Sequence, residues 1–211
     1  MPQTLTTEPV SLDRRSQILE AAVVCFAKRG FHQASMHDIS AEAGISVGLI
    51  YRYFQNKEAV IAAMADRHKS EIGNLLERAG QAPSLLEALE ILFTAHCCED
   101  SPKVLSAFVV DLYAEASRNP AVADLVRDVL NTAMDGVTKL IARSPEGQNA
   151  ANGQTPRELA ELIFAVARGM LMLDILQPAE MTAAERRARQ LGVTRRLWRS
   201  LFKSEATASY A

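Results

Sequence analysis

A short stretch, residues 35–57, restricts the fold of this chain more strongly than any other part of the sequence. Ser35 followed by Asp38 resembles a capping box, in which a hydroxyl and an acidic group three positions later satisfy the free amides of a helix start. Ser46 is a second residue of the type that caps helices. Gly44 lies between them and supplies the backbone freedom that an abrupt reversal needs. We therefore expect two short helices, each beginning directly after a serine, joined by a tight turn.

The apolar residues of this stretch should pack the two short helices against each other. Ile39 on the first helix and Ile50 and Phe54 on the second fall at helical spacing, so they can share one buried interface. Their burial turns the other positions of the second helix outward, and these are Val47, Gly48, Leu49, Tyr51 and Arg52. The combination predicts a helix-turn-helix, whose second helix places its N-terminal residues in the DNA major groove.

Residues 43–58, AGISVGLIYRYFQNKE, resemble the signature of the TetR family of bacterial regulators. In that family the pattern A-G-V-S-x-G-x-L-Y-x-H/Y-F-x-x-K-E recurs near the N-terminus. The likeness covers nearly the whole chain in layout but is close only at positions 35–58, so residue roles are carried over only there. It implies that the partner is double-stranded DNA, bound by an N-terminal unit of three helices.

The resemblance implies two sets of DNA-contacting residues. The set expected to hold backbone phosphates, which position a protein without reading sequence, is Ser35, Tyr51, Tyr53 and Lys57. The set expected to face the bases is Ser46, Val47, Gly48 and Leu49, with Arg52 nearby. Two of these residues also have a purely structural interpretation, Tyr53 as a packed aromatic and Ser46 as a helix cap.

The base-facing set departs from many family members, because Val47 and Leu49 stand where polar or basic residues are common. Apolar side chains can contact the methyl group of thymine or exclude water, but they cannot pair with polar base edges. We therefore expect a half-site with thymines under Val47 or Leu49. Any guanine contact would then come from Arg52 or Ser46.

The rest of the chain predicts an all-α fold of about nine helices, because no segment alternates strictly between apolar and polar residues as a half-buried strand does. Helix-start signals and apolar spacing place the segments at about 12–29, 36–43, 47 onward, 57–79, 85–98, 102–118, 120–143, 156–176 and 183–202. Residues 144–155, rich in glycine and asparagine, are expected to form a mobile loop.

Four regions follow from this layout. Residues 1–10 are polar, contain two prolines and are expected to form a disordered arm, with an arm that contacts DNA as the alternative. Residues 11–57 form the expected DNA-binding domain, 58–203 the ligand-binding and dimerisation domain, and 204–211 a polar tail.

Composition limits the class of protein. A chain of 211 residues with 48% hydrophobic residues is long enough for a buried core without disulfides. The net charge of −2 does not indicate nucleic-acid binding, although residues 11–57 carry two more basic than acidic side chains. The three cysteines show no disulfide or metal spacing, and the apolar stretch 159–176 is interrupted by charged residues. These features lead us to expect a cytoplasmic protein with no membrane association.

Catalytic signatures such as Gly-x-Ser-x-Gly and His-Glu-x-x-His do not occur, so we expect no enzyme activity, no cofactor and no metal. The segment His96-Cys97-Cys98-Glu99-Asp100 is the one cluster of ligand-type residues. On a helix, only His96 with Glu99 or with Asp100 could share a ligand. A helix end is the expected interpretation, and metal or thiol sensing is the alternative.

The resemblance also implies a small-molecule cavity and a homodimer formed by the last two helices. The cavity lining is expected from Phe93, His96, Phe108, Leu112, Tyr113, Met134, Met170 and Trp198. Acidic residues that end apolar stripes, Asp111 and Glu115 among them, should lie at a solvent edge or close a pocket. The implied function is a repressor that a small molecule releases from a palindromic operator. An activator and a ligand-independent interaction module on DNA are the alternatives.

Overall fold

A computed structural model describes residues 8–97, 102–148, 153–176 and 182–202 of the chain. Within these ranges the protein contains ten helices and no strand, which confirms the all-α prediction. The helices are α1 (Glu8–Gln33), α2 (Met36–Glu42), α3 (Val47–Tyr53), α4 (Lys57–Gly80), α5 (Leu85–Cys97), α6 (Pro102–Ala116), α7 (Pro120–Arg143), α8 (Pro145–Gln148), α9 (Pro156–Leu176) and α10 (Ala183–Leu201).

The helix starts agree with the sequence wherever a side chain caps the helix locally. Ser35 and Asp38 form a complete capping box at α2, and Thr182 and Glu185 form a second one at α10. Hydrogen bonds from the side chain and backbone of Ser35 lower the pKa of the Asp38 carboxyl, because they stabilise its charged form. The local chemistry of these caps thus determines where the helices begin.

Two differences concern the ends of predicted segments. The first helix begins at Glu8, so residues 8–10 belong to a helix and not to the polar arm, while residues 1–7 lie outside the described residues. The second difference is α8, which occupies the start of the segment predicted as a mobile loop. The amide of Gly147 in α8 donates to the Ser144 hydroxyl (3.0 Å), and Gly147 is buried against the backbone of Ile141. The loop prediction is therefore wrong for residues 145–148.

The described residues form two compact units. The N-terminal unit contains the described residues up to Arg67 together with Ala107–Val126, and the C-terminal unit contains His68–Ser106 and the described residues from Arg127 onward. Parts of α6 and α7 therefore pack with the N-terminal helices, which the sequence did not indicate. The functional boundary expected after residue 57 stays a prediction.

Each unit has its own apolar core. The N-terminal core contains Ile18, Phe26, Ile39, Ile50, Phe54, Val60 and Val122. The C-terminal core contains Leu85, Leu89, Phe93, Val137, Ile141, Leu159, Ile163 and Trp198. A two-pronged ion pair from Arg195 on α10 to Glu90 on α5 (2.6 and 2.7 Å) supports the C-terminal core at its edge. In the described part of the chain, no helix combines the length and apolar character needed to cross a membrane.

Candidate nucleic-acid interface

The helix-turn-helix is formed by α2, a turn and α3. Gly44 adopts a positive φ of 63°, and the amide of Ile45 donates to the Ser40 carbonyl at 3.0 Å. From α1, the side-chain amide of Gln17 donates to the Ala43 carbonyl (2.7 Å) at the end of α2. The last carbonyls of a helix have no partner within it, so this contact satisfies one of them and attaches α1 to the turn.

The inner face of α3 anchors it in the N-terminal core, as the sequence predicted. Ile50 is fully buried, as is Ile39 on α2, and Phe54 is 2% exposed. Burial of each such side chain stabilises the fold by roughly 1.5–3 kcal/mol. The guanidinium carbon of Arg15 on α1 lies 4.7 Å from the centre of the Phe54 ring, which adds a cation–π contact. These contacts fix the orientation of α3 and thus of its outer face.

The predicted base-facing residues lie together at the first turn of α3. Ser46 and Gly48 are exposed, and Val47 and Leu49 are half-buried. No atom lies within 4 Å of the position that a Cβ on Gly48 would occupy, so this surface is open. The Ser46 hydroxyl accepts a hydrogen bond from the Leu49 amide (3.3 Å), which confirms its role as a cap. The first turn therefore presents two apolar side chains, one hydroxyl and the backbone of Gly48, which no side chain covers.

Of the predicted phosphate-contacting residues, three line one surface cleft of about 370 Å³. They are Ser35, Tyr51 and Lys57, and His32 lies beside them. Tyr51 is 51% exposed, which suits a side chain that reaches out to DNA. Tyr53 does not belong to this lining; it packs, half-buried, against the N-terminal core. Its position favours the packed-aromatic interpretation.

Lys57 and Ser35 also have structural roles that the sequence did not reveal. The Lys57 ammonium donates to the carbonyls of Phe31 (2.7 Å) and His32 (3.3 Å) and lies 4.6 Å from the centre of the Phe31 ring. The Ser35 hydroxyl donates to Asp38 Oδ2 (2.6 Å) within the capping box. An ammonium has three hydrogens to donate, so the two carbonyls leave Lys57 one for a phosphate.

A sharp kink at Gly30, near the C-terminal end of α1, forms a corner at residues 30–32 that leads into α2. Sequence reasoning missed the partners of this corner on α6. Gly30 has φ 77° and ψ 157°, and the Phe31 amide donates to Asp111 Oδ2 (2.5 Å). The His32 Nε2 lies 3.1 Å from Oε2 of Glu115, a carboxylate that is 1% exposed. Asp111 and Glu115, expected at a solvent edge or at a pocket, instead hold this corner. The four-residue spacing of Asp111 and Glu115, which places both on one face of a helix, was the sequence feature that could have indicated a shared contact.

The residues predicted to line a ligand cavity are divided between the two units. Phe93 and Trp198 are in edge-to-face contact in the C-terminal core, and Met134 and Met170 pack against the same core. Three others lie in the N-terminal unit, where Phe108 and Leu112 pack against the core and Tyr113 is half-buried on α6. The side chain of His96 is not among those that the structure describes. The metal or thiol alternative at 96–100 also falls outside the described side chains.

A substitution at Ser46 separates its capping role from its DNA-reading role. Ser46→Ala should lower the free energy of unfolding by about 1 kcal/mol, whereas Ser46→Gly should lower it by only a few tenths, because glycine is itself a tolerated cap. Both variants lack the hydroxyl, so we expect both to weaken operator binding to the same extent. Urea denaturation and fluorescence anisotropy with operator DNA measure the two effects. Full operator affinity in Ser46→Gly would show that Ser46 serves only as a cap.

Comparison with known proteins agrees with this geometry. The model of the family described as bacterial regulatory proteins, tetR family, matches residues 18–64, which span the end of α1 through the start of α4. The transcriptional regulator UidR of Escherichia coli is 29% identical over 168 residues, covering 76% of each chain. The nicotine-responsive transcriptional repressor HdnoR of Paenarthrobacter nicotinovorans is 24% identical over 174 residues, covering 81% of this chain and 88% of the relative.

A solved structure extends the likeness beyond the reading helices. GusR of Salmonella enterica superposes with a TM-score of 0.73 at 26% identity, covering 93% of this chain and 98% of that chain. The two relatives above are named as regulators of transcription and not as enzymes. The helix-turn-helix, the matched family model and this similarity together identify the chain as a member of the TetR family of bacterial DNA-binding regulators of transcription.

Proposed function

We propose that the protein is a homodimeric repressor that binds a palindromic operator through α3 and leaves it when a small molecule binds the C-terminal unit. The observation that carries this proposal is the outer face of α3, where Ser46, Val47 and Leu49 surround an open backbone beside the exposed Tyr51. One relative, HdnoR, is named as a repressor that responds to a small molecule, which supports the same mode of action here.

An exposed apolar stripe supports dimerisation through α9 and α10. Among the described residues, four of the five large apolar side chains that are exposed lie on these two helices: Met172, Leu173, Leu176 and Val193, with Tyr51 as the fifth. Ala165 and Gly169 extend the stripe along α9, and a Cβ on Gly169 would meet no atom within 4 Å. Contiguous exposed apolar surface marks an interaction site, and a second copy with the same stripe suits a two-fold interface.

A two-fold dimer determines the form of the operator. The N-terminal residues of α3 in each subunit would enter successive major grooves, whose centres are about 34–36 Å apart along B-form DNA. Each half-site would then be read by an identical set of side chains in the opposite orientation. The operator is therefore a palindrome with a spacing of about one helical turn.

Release requires a ligand that prefers a conformation with wrongly spaced reading helices, because a ligand with equal affinity for both states shifts nothing. We propose α4 as the segment through which the change passes. Its first residue, Lys57, donates to the carbonyls of Phe31 and His32, so a shift of α4 would pull on the chain that leads into α2. Asp111 and Glu115 attach α6 to the same corner.

The repressor mechanism is tested by two successive measurements on one set of compounds. Thermal-shift screening of the full chain first identifies small molecules that raise its unfolding temperature. Each of these is then added to the protein–operator complex, and fluorescence anisotropy measures DNA release. We expect at least one stabilising compound to release DNA. Compounds that stabilise the protein but leave the complex intact would favour the ligand-independent module.

Apolar base reading predicts a dependence on thymine methyl groups. Replacing thymine by uracil under Val47 or Leu49 removes one methyl contact, worth about 0.8 kcal/mol, and should weaken binding about fourfold per half-site. Val47→Ala already removes part of the contact between the side chain and the thymine methyl group. In this variant, uracil under residue 47 should therefore cost less binding free energy than in the unmodified protein, as a double-mutant cycle measures. Anisotropy titrations with matched duplexes measure both. Equal affinity for thymine and uracil at every half-site position would contradict apolar reading.

A further inference from the structure

A buried nitrogen in the C-terminal core has no hydrogen-bond partner among the described residues. Trp198, the single tryptophan of the chain, is 1% exposed, and its ring lies edge-on to Phe93 with 5.6 Å between ring centres. Its Nε1 is buried and has no acceptor among the described residues. A buried indole N–H usually meets an acceptor, because desolvating a donor without pairing it is costly. This nitrogen is therefore a buried donor in an apolar core, with no acceptor in the part of the chain that the structure describes.

The surroundings of Trp198 can adapt to a guest molecule. Met134 and Met170 pack against the same core as Phe93 and Trp198. Methionine has an unbranched side chain with three rotatable bonds, so it can change conformation to fit irregular shapes at low cost. The core that contains Trp198 therefore includes two side chains that a small apolar molecule could displace.

The charge of the surroundings selects the class of molecule. In the described part of the C-terminal unit, the buried polar side chains are Gln190 and Thr194, and no carboxylate is buried. The Thr194 hydroxyl is already used, since it donates to the Gln190 carbonyl of its own helix (2.9 Å). A cationic guest would have no buried counter-charge, and a buried charge without a partner is strongly unfavourable. The same cost applies to an anion, because Trp198 offers only one neutral N–H and the half-buried Arg168 guanidinium, 5.7 Å from the centre of the Phe164 ring at this core, already has an interaction of its own.

We propose that the C-terminal core binds an uncharged, largely apolar molecule whose carbonyl-type oxygen accepts a hydrogen bond from Trp198 Nε1. This inference rests on the proposed function, in which a small molecule acts on the C-terminal unit, and it adds the chemistry of that molecule and the atom that recognises it.

Two matched probe sets test the class of molecule. One set has a naphthalene ring: 2-acetylnaphthalene, 2-ethylnaphthalene and 2-naphthylmethylammonium. The other has an alkyl chain: 2-undecanone and undecylammonium. Isothermal titration calorimetry and the emission of the single tryptophan measure binding to the full chain. We expect at least one ketone to bind about tenfold tighter than its counterparts without a carbonyl. Failure of both ketones, or equal binding of the counterparts, would overturn the proposal.

Variants at Trp198 test the atom. Trp198→Phe removes the N–H, and incorporation of benzothienylalanine at the single tryptophan codon replaces the N–H by sulfur with little change of shape. Each change should lower the affinity for the ketone that binds by about fivefold to tenfold, as measured by calorimetry. The sulfur analogue keeps the packing, so unchanged ketone affinity in that protein would overturn the role of Nε1. Operator binding without ligand should be the same in both variants as in the unmodified protein. If the unmodified protein itself did not bind operator DNA, the proposed function would be refuted, but the ligand-binding result would still hold.

Discussion

Leu173→Glu is expected to convert the dimer into monomers and to weaken operator binding by more than about a hundredfold. Leu173 is 56% exposed at the centre of the α9 stripe, between Met172 and Leu176. In a monomer the new carboxylate is solvated, and such surface substitutions change the free energy of unfolding by about 0.5 kcal/mol or less. In a dimer it is buried without a partner, which costs about 3–5 kcal/mol. The damage therefore falls on association and not on the fold.

Sedimentation equilibrium and operator titration of the same sample measure this effect. Ala121→Glu is the matched control, because it adds the same charge at an exposed position in the first turn of α7, outside the stripe. We expect the control to remain dimeric with unchanged operator affinity. A Leu173→Glu protein that remains dimeric at micromolar concentration and binds DNA as before would place the interface elsewhere.

Gly30→Ala should lower the free energy of unfolding by about 2–3 kcal/mol, which corresponds to a fall in Tm of roughly 5–10 °C for a chain of this size. Gly30 has φ 77° and ψ 157°, a conformation that residues with a Cβ rarely adopt. The new Cβ would also lie 3.4 Å from Asp111 Oδ1, on the carboxylate that accepts from the Phe31 amide. Operator binding should weaken with stability, because this corner leads into α2.

Gly73→Ala is the control for this substitution. Gly73 lies exposed within α4, and a Cβ there would meet no atom within 4 Å. Alanine loses less backbone entropy than glycine on folding into a helix, so this variant should be more stable by about 0.5–1 kcal/mol. Urea denaturation followed by circular dichroism measures both proteins. A Gly30→Ala protein at least as stable as the unmodified protein would contradict the strained conformation assigned to Gly30.

The features that the sequence predicted correctly depend on nearby residues. The caps at Ser35, Ser46 and Thr182 each involve a partner three positions away, so their chemistry is visible in the sequence. The short helix α8 was missed because burial of Gly147 against Ile141 stabilises it, and the surrounding composition indicates only a loop.

Contacts between distant segments were not predictable in the same way. Phe31 and Asp111 are separated by 80 residues, and no local pattern connects an amide to a carboxylate at that distance. The resemblance implied that Phe108 and Phe93 line one cavity, but it did not show which core each side chain joins. Phe108 packs in the N-terminal unit and Phe93 in the C-terminal unit. The motif placed Lys57 near the DNA surface without revealing its two carbonyl partners.

Selection from a random-sequence DNA library tests most directly whether α3 reads a palindromic operator as part of a dimer. The full chain is incubated with random duplexes, bound DNA is amplified and sequenced, and the number of chains per duplex is measured. We predict enriched palindromes with half-sites about one helical turn apart, thymines at positions that change in Val47→Ala, and two chains for each pair of half-sites. Enrichment of sequences without two-fold symmetry, or of the same sequences by the Val47→Ala and unmodified proteins, would contradict the account.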